Sequence, residues 1–345
     1  DDDGITNNDS IGRVDIDRLI HMVEEMNVPA PKIIYIIPSY HNPTGRSMSV
    51  EERRKLATFA LRNRVMLVAD EVCHLLDWDQ NNDDDDDNDD DDGQVNIVRK
   101  ESEITTSRRP AGIVHFNERS CRNEEASSIS KPNDDRSDTT TKSDGNSIEI
   151  VGCCISVSSF TKIWAPGIRL GWIHAPSFIV ERLKNYGYID SQGGVAPFMC
   201  GMMTRAIESG VLDDYLDRLK LEYAERYRLV YGLLKVGEPR RMKVRRNSRV
   251  RKQGGYFIWV EFPSHVDSDD FLSYSVEHFG VKFMPGGRCD PFPLSNGGGD
   301  DDNDDTTGIA IRSSARLCFA DLDRDDLIEA TDAFLEAFRS YMKSI

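Results

Sequence analysis

Ser158–Trp172 reads SSFTKIWAPGIRLGW and gathers one lysine, several hydroxyls and one arginine around a Pro166-Gly167 turn. Lys162 follows an apolar run, Ile150–Val157, that reads as a buried strand. An amine at the mouth of such a strand loses hydration, which favours its neutral, nucleophilic form. Ser159 and Thr161 offer short hydroxyl donors and Arg169 a forked cation, the groups that grip a phosphate. An amine able to form a Schiff base beside a phosphate grip points to pyridoxal phosphate (PLP). The alternative is a surface lysine and arginine flanking a tight turn.

Two other positions stand out on their own residues. Asn42-Pro43-Thr44-Gly45 is a turn, because the residue before proline is pushed out of the helical region and glycine permits positive φ. Asp70 closes an apolar run, Val65–Ala69, at the strand end where α/β sheets place ligands. A carboxylate there can pair with a protonated pyridine nitrogen and keep the ring an electron sink. It can equally cap the next turn.

The lysine stretch closely resembles the cofactor-lysine signature of the class I/II aminotransferases, PLP fold type I, which runs S-F-[ST]-K and then P-G-[LI]-R-[LIV]-G. Together with Ser191–Pro197 (SQGGVAP) it looks most like the branch acting on 2-aminoadipate, aromatic and branched-chain amino acids. The resemblance implies that Lys162 holds PLP as an internal aldimine and moves a proton between Cα and C4′. It implies that Asn42, in P-x-x-x-N-P-T-G, faces the cofactor's 3′-oxygen and that Ser159, Thr161 and Arg169 hold the phosphate. Arg316, in R-[LI]-x-[FY], would fork onto the substrate α-carboxylate, while Arg312 falls too early for that pattern. The family's D-[ED]-x-Y reads here as Asp70-Glu71-Val72-Cys73. Cys73 therefore stands among the cofactor-binding positions as a thiol in place of a phenol, which implies weaker tuning of the cofactor.

These residues need a scaffold. Val14–Met26 shows a helical apolar face, Lys32–Ile37 and Val65–Ala69 read as buried strands, and Ser49–Glu52 is a capping box opening a helix that buries Leu56, Phe59 and Ala60. This βαβ alternation predicts an α/β fold with a parallel sheet. The resemblance implies a three-layer fold-type-I large domain over 13–225 and a smaller α+β domain over 226–345. Asp77–Ser147 is a low-complexity insertion with one apolar island, Ala111–Phe116, and residues 1–12 are expected to be disordered. Downstream, Phe198–Ile207 and Leu212–Leu234 read as helices and Gly254–Phe262 as a strand. Ser268–His278 is a helix, Val281–Met284 and Ile309–Phe319 are strands, and Leu327–Tyr341 closes the chain as a helix.

At 345 residues the chain holds one large domain or two ordinary ones. The Asp runs at 1–3, 83–92 and 300–305 account for the whole formal charge of −17, so the acidity says little about partners. No membrane span or signal peptide is visible, which favours an intracellular, cytoplasmic protein. Seven cysteines without a CxxC pair fit a reducing compartment, with neither disulfides nor a metal site. Pro239–Lys252 holds eight basic residues and is read as a solvated loop rather than a nucleic-acid patch.

The expected function is PLP-dependent transamination of an L-amino acid with a 2-oxo acid by a homodimer. Family members carry a further domain's worth of sequence before the point where this one starts, so the chain is expected to be a fragment, a truncated gene model or a degenerate copy. A non-catalytic PLP-fold module is the second reading. A regulator fusing a DNA-binding module to this fold is the third, supported only by the basic tract.

Overall fold

The computed structural model describes residues 14–78, 153–187, 189, 195–238, 240–245, 253–290 and 306–345. The residues expected to be disordered, Ala111–Phe116, most of the low-complexity stretch, Ser191–Gly194 and the acidic loop up to 305 lie outside them.

The first sheet has the order β1-β2-β3-β4, with β1 at Ile33–Ile36, β2 at Met66–Asp70, β3 at Cys154–Ser159 and β4 at Gly171–His174. The first three run parallel and β4 returns antiparallel to β3. A short helix, α1 (Ile16–Ile20), runs on as a π turn over His21–Glu25. Helix α2 (Val50–Arg62) links β1 to β2, and its capping box is complete: Glu52 N–H donates to Ser49 Oγ at 3.2 Å and Ser49 N–H to Glu52 Oε2 at 2.8 Å. Its inner stripe, Leu56, Phe59 and Ala60, packs on Ile36, Leu67 and Ala69. Period-two alternation sends Ile33 and Tyr35 to the opposite face, where each is 60% exposed.

Helices α3 (Ser177–Lys184), α4 (Pro197–Glu208) and the long α5 (Val211–Gly237) lead to a second sheet. Its order is β5-β6-β8-β7, all antiparallel, with β5 at Lys243–Val244, β6 at Phe257–Glu261, β7 at Met284–Pro285 and β8 at Ser314–Cys318. Helix α6 (Ser268–Phe279) precedes β7, and α7 (Thr306–Arg312) precedes β8. The chain closes with α8 (Arg324–Ser344). The main core runs from Leu216, Tyr223 and Leu234 of α5 through Phe271 of α6 to Phe334 and Phe338 of α8.

Three expectations are revised. Ile309–Phe319 is not one strand: α7 ends where Ser313 N–H donates to Ile309 O and Ser314 Oγ to Ala310 O, and only then does β8 begin. The strand expected over Val281–Met284 shrinks to the two residues of β7, and the 3₁₀ turn Gly286–Cys289 follows directly. The basic tract is not wholly a solvated loop. Lys243 and Val244 form β5, and the half-buried Arg245 is ion-paired with the buried Glu261.

The two sheets meet at a joint without spare volume. The Tyr40 ring lies on Gly254, where an added Cβ would come within 2.2 Å of Tyr40 Cζ and 2.5 Å of Leu76 O. Gly255, at φ +71°, donates its N–H to Leu76 O at 2.9 Å and accepts from Trp78 Nε1 at 2.7 Å. Asp77, paired with Lys220 at 2.8 Å, and the buried Trp78 thus belong to the packed structure, although they fall at the start of the low-complexity stretch.

Candidate active site

The C-terminal ends of three neighbouring parallel strands carry the predicted residues. The loop after β1 presents Asn42, the end of β2 presents Asp70 and Cys73, and the turn after β3 presents Ser159, Thr161 and Lys162. Strand ends of a parallel sheet point one way, so residues far apart in sequence face one opening.

The loop after β1 is fixed from below. Arg53 of α2 is buried; its Nη2 donates to Pro38 O at 2.7 Å and lies 3.1 Å from Ser39 Oγ, and its Nε donates to Met48 O at 3.1 Å. Its Nη1 sits 3.8 Å from Glu71 Oε1, and Ser156 Oγ donates to Glu71 Oε2 at 2.5 Å. Burial lowers the Arg53 pKa while the Glu71 charge pulls it back up. This chain of contacts ties the loop, β2 and β3 together beneath the site. His41, next to Asn42, has its Nδ1 3.0 Å from Thr44 Oγ1, and burial holds its pKa down at about 4.

Asp70 has both oxygens engaged. Tyr35 Oη donates to Oδ2 at 2.7 Å and Val72 N–H to Oδ1 at 3.3 Å. Cys73 is buried, and desolvation pushes its thiol up to about 11, against a hydrogen bond with Tyr256 and the Lys162 charge, which pull it down. Lys162 Nζ lies 5.5 Å from the centroid of the Tyr256 ring, so Asp70, Cys73, Tyr256 and Lys162 share one neighbourhood.

Lys162 is exposed, contrary to the desolvation expected at the strand mouth. The strand ends at Ser159, and a turn anchored by the buried Phe160 and Ile163 carries the amine out of the sheet. In that turn Thr161 N–H donates to Ser159 Oγ at 3.1 Å, and the two hydroxyl oxygens are 2.9 Å apart. Arg169 is exposed in the left-handed region at φ 49°. Among the described residues, neither Lys162 nor Arg169 has a hydrogen-bond or ion-pair partner. Arg316 comes from β8, in the other sheet. Its Nη1 donates to Asn42 Oδ1 at 2.6 Å, its Cζ lies 4.2 Å from the Phe257 ring centroid, and its Nε is buried without a partner among the described residues.

Residues 7–74 match the family model for aminotransferase class I and II. A 2-aminoadipate transaminase of Thermus thermophilus is 21% identical over 302 residues, covering 87% of this chain and 55% of that protein. The chain is related to the class I and II aminotransferases. An aromatic amino acid aminotransferase of Schizosaccharomyces pombe is 24% identical over 234 residues, covering 67% of this chain and 40% of its own length. Among solved structures, the aromatic aminotransferase Aro9 of Candida albicans superposes with a TM-score of 0.65 at 18% identity, covering 99% of this chain and 64% of that one. The alpha-aminoadipate aminotransferase of Thermus thermophilus, solved with N-(5′-phosphopyridoxyl)-L-leucine, superposes with a TM-score of 0.62 at 19% identity, covering 96% and 64%. The fold is therefore that of the fold-type-I aminotransferases. The chain spans about half the length of the curated relatives it matches.

The aminotransferase cofactor suits the groups present. A free amine, an unpaired guanidinium with two hydroxyls beside the turn, and a held carboxylate are the partners that PLP's aldehyde, phosphate and pyridine nitrogen require. Among the described residues no group of His, Cys, Asp and Glu could hold a metal ion, and no helix is long and apolar enough to cross a membrane. A groove of about 840 Å³ between α5 and α8 is lined by Val236, Phe279, Leu335 and Arg339 and holds none of the residues above.

Sequence reasoning missed Tyr35, Arg53 and Tyr256. The available signal was type against context: one hydroxyl-bearing side chain in an otherwise aliphatic β1, and one arginine on the apolar stripe of α2.

Proposed function

We propose that this chain forms the part of a PLP-dependent aminotransferase that carries the cofactor lysine and the substrate-carboxylate arginine. The observation that carries the reading is the convergence of Asn42, Asp70 and Lys162 on three adjacent strand ends, with Arg316 arriving from the second sheet at 2.6 Å from Asn42.

When bound, PLP supplies the electron sink that makes the substrate α-proton removable. Lys162 would hold the cofactor's aldehyde carbon and then take the proton from the substrate Cα. Asp70 would hold the pyridine nitrogen, and Ser159, Thr161 and Arg169 the phosphate. Asn42 would face the 3′-oxygen, with Cys73 beneath it as a protonated thiol. Arg316 would turn its fork to the α-carboxylate, for which its planar pair of donors suits it better than a lysine would. The substrates are an L-amino acid and a 2-oxo acid, from the 2-aminoadipate and aromatic classes named for the relatives, and the working assembly is a homodimer.

Purified protein is mixed with PLP, reduced with borohydride and digested. A phosphopyridoxyl label on Lys162 that disappears in Lys162→Ala is the expected outcome, followed by amino-group transfer to 2-oxoglutarate from at least one amino acid of these classes. A folded protein that takes up no label, or one labelled equally without Lys162, would refute the reading. Light scattering with and without PLP tests the dimer.

A further inference from the structure

We propose that Tyr35 is the positioning residue for Asp70, holding its carboxylate aimed at the open ends of the strands. The proposal rests on the PLP reading for its functional consequence, but its geometry stands alone. Strands β1 and β2 are parallel, with Tyr35 paired to Val68. Asp70 lies two residues beyond Val68 and so on the same face of the sheet as Tyr35. A diagonal neighbour at that offset is beyond the reach of a short side chain and within reach of a tyrosine. The phenol spans the gap and donates to Asp70 Oδ2 at 2.7 Å, while Val72 N–H holds Oδ1. With one donor on each oxygen the carboxylate cannot rotate freely, and each oxygen keeps a lone pair for a further donor.

Tyr35 has no evident packing reason to be where it is. Its side chain is 60% exposed, on the face opposite α2. Among the described residues its hydroxyl hydrogen-bonds one group, the carboxylate at the strand end. Partial burial first, then the hydrogen bond and the charge of Asp70, push the phenol up to about 12. A phenol held protonated in this way remains a donor through the neutral range.

Two measurements test this. The first needs no cofactor. Tetranitromethane attacks the phenolate, so Tyr35 in the wild-type protein should nitrate several-fold more slowly than Tyr186, which is similarly exposed at 63%. In Asp70→Asn the Tyr35 rate should rise toward that of Tyr186. Equal rates in the wild-type protein would mean that the hydrogen bond is not kept in solution, and the proposal would fail. The second compares Tyr35→Phe with the wild-type protein for PLP affinity. Loss of one hydrogen bond to a charged group should weaken PLP binding roughly tenfold while the melting point of the cofactor-free protein stays in place. Unchanged affinity would overturn the positioning role. If the wild-type protein itself took up no PLP, the cofactor reading would fall, and the nitration rates would still decide whether Tyr35 holds Asp70.

Discussion

Arg316 and Asn42 are joined by a 2.6 Å hydrogen bond from the guanidinium to the side-chain carbonyl, across two sheets and most of the chain. Asn42 is exposed in the loop after β1, while Arg316 is half-buried in the middle of β8. The contact aligns the guanidinium over Phe257 and leaves part of its fork free for a second acceptor. Arg316→Lys should raise the KM for the amino acid by about two orders of magnitude, because a point charge cannot replace a bidentate grip, while PLP affinity stays within a factor of two. Steady-state kinetics with a cofactor titration checks both halves. A double-mutant cycle of Asn42→Ala and Arg316→Ala on substrate binding should show a coupling of roughly 1–3 kcal/mol.

Arg53 and Glu71 are both buried and lie beneath the loop that carries Asn42. Arg53→Met takes the guanidinium away from the buried Glu71 carboxylate and removes the donors to Pro38 and Met48. A loss of about 3–5 kcal/mol is expected, read by denaturant unfolding. The double variant Arg53→Met, Glu71→Gln should recover part of it, because no charge is then left buried.

The pH dependence of stability should carry the mark of His41. Its folded pKa, about 4, lies below its ordinary value of 6.5 because burial disfavours the charged ring. Between those values the unfolded chain binds more protons than the folded one, so stability falls as pH drops from about 6.5 to about 4 and is flat in this respect above 6.5. The loss is on the order of 3 kcal/mol. Unfolding curves at several pH values should show that slope in the wild-type protein and a shallower one in His41→Gln.

Cys73 should behave as a buried, protonated thiol. With its pKa at about 11, iodoacetamide at pH 8 should modify it orders of magnitude more slowly than the exposed Cys318, and the rate should climb toward pH 11. Peptide mass spectrometry of the native protein gives both rates. A Cys73 that labels as fast as Cys318 would mean that its thiol is open to solvent.

The parts of the site that are legible in the sequence are those whose local chemistry is self-contained. Asn42 sits in a turn spelled by Pro43 and Gly45, Asp70 ends an apolar run, Lys162 and Arg169 flank Pro166-Gly167, and the helix start at Ser49 is written in its capping box. Tyr35 was not legible, because its role depends on the register of β1 against β2, which no local pattern sets. Tyr256 was hidden for a similar reason: it meets Cys73 and Lys162 only when the second sheet docks on the first. The exposure of Lys162 was not legible because it depends on the turn after β3, where burial of Phe160 and Ile163 leaves the amine facing out. The helix hidden in Ile309–Phe319 went unseen because an apolar run followed by two serines reads alike as strand or as helix end.

The glycine joint gives the site a fixed gauge. Tyr40 belongs to the loop that presents Asn42, and Gly254 and Gly255 open the strand that pairs with Arg316's own, so this contact sets the span between the two side chains. The spacing is set by hard contact at Gly254 and fastened by the hydrogen bonds of Gly255 to Leu76 and Trp78, so it leaves little slack in either direction. One methyl group at Gly254 would move the jaws apart, and the chain would keep its fold while losing its grip.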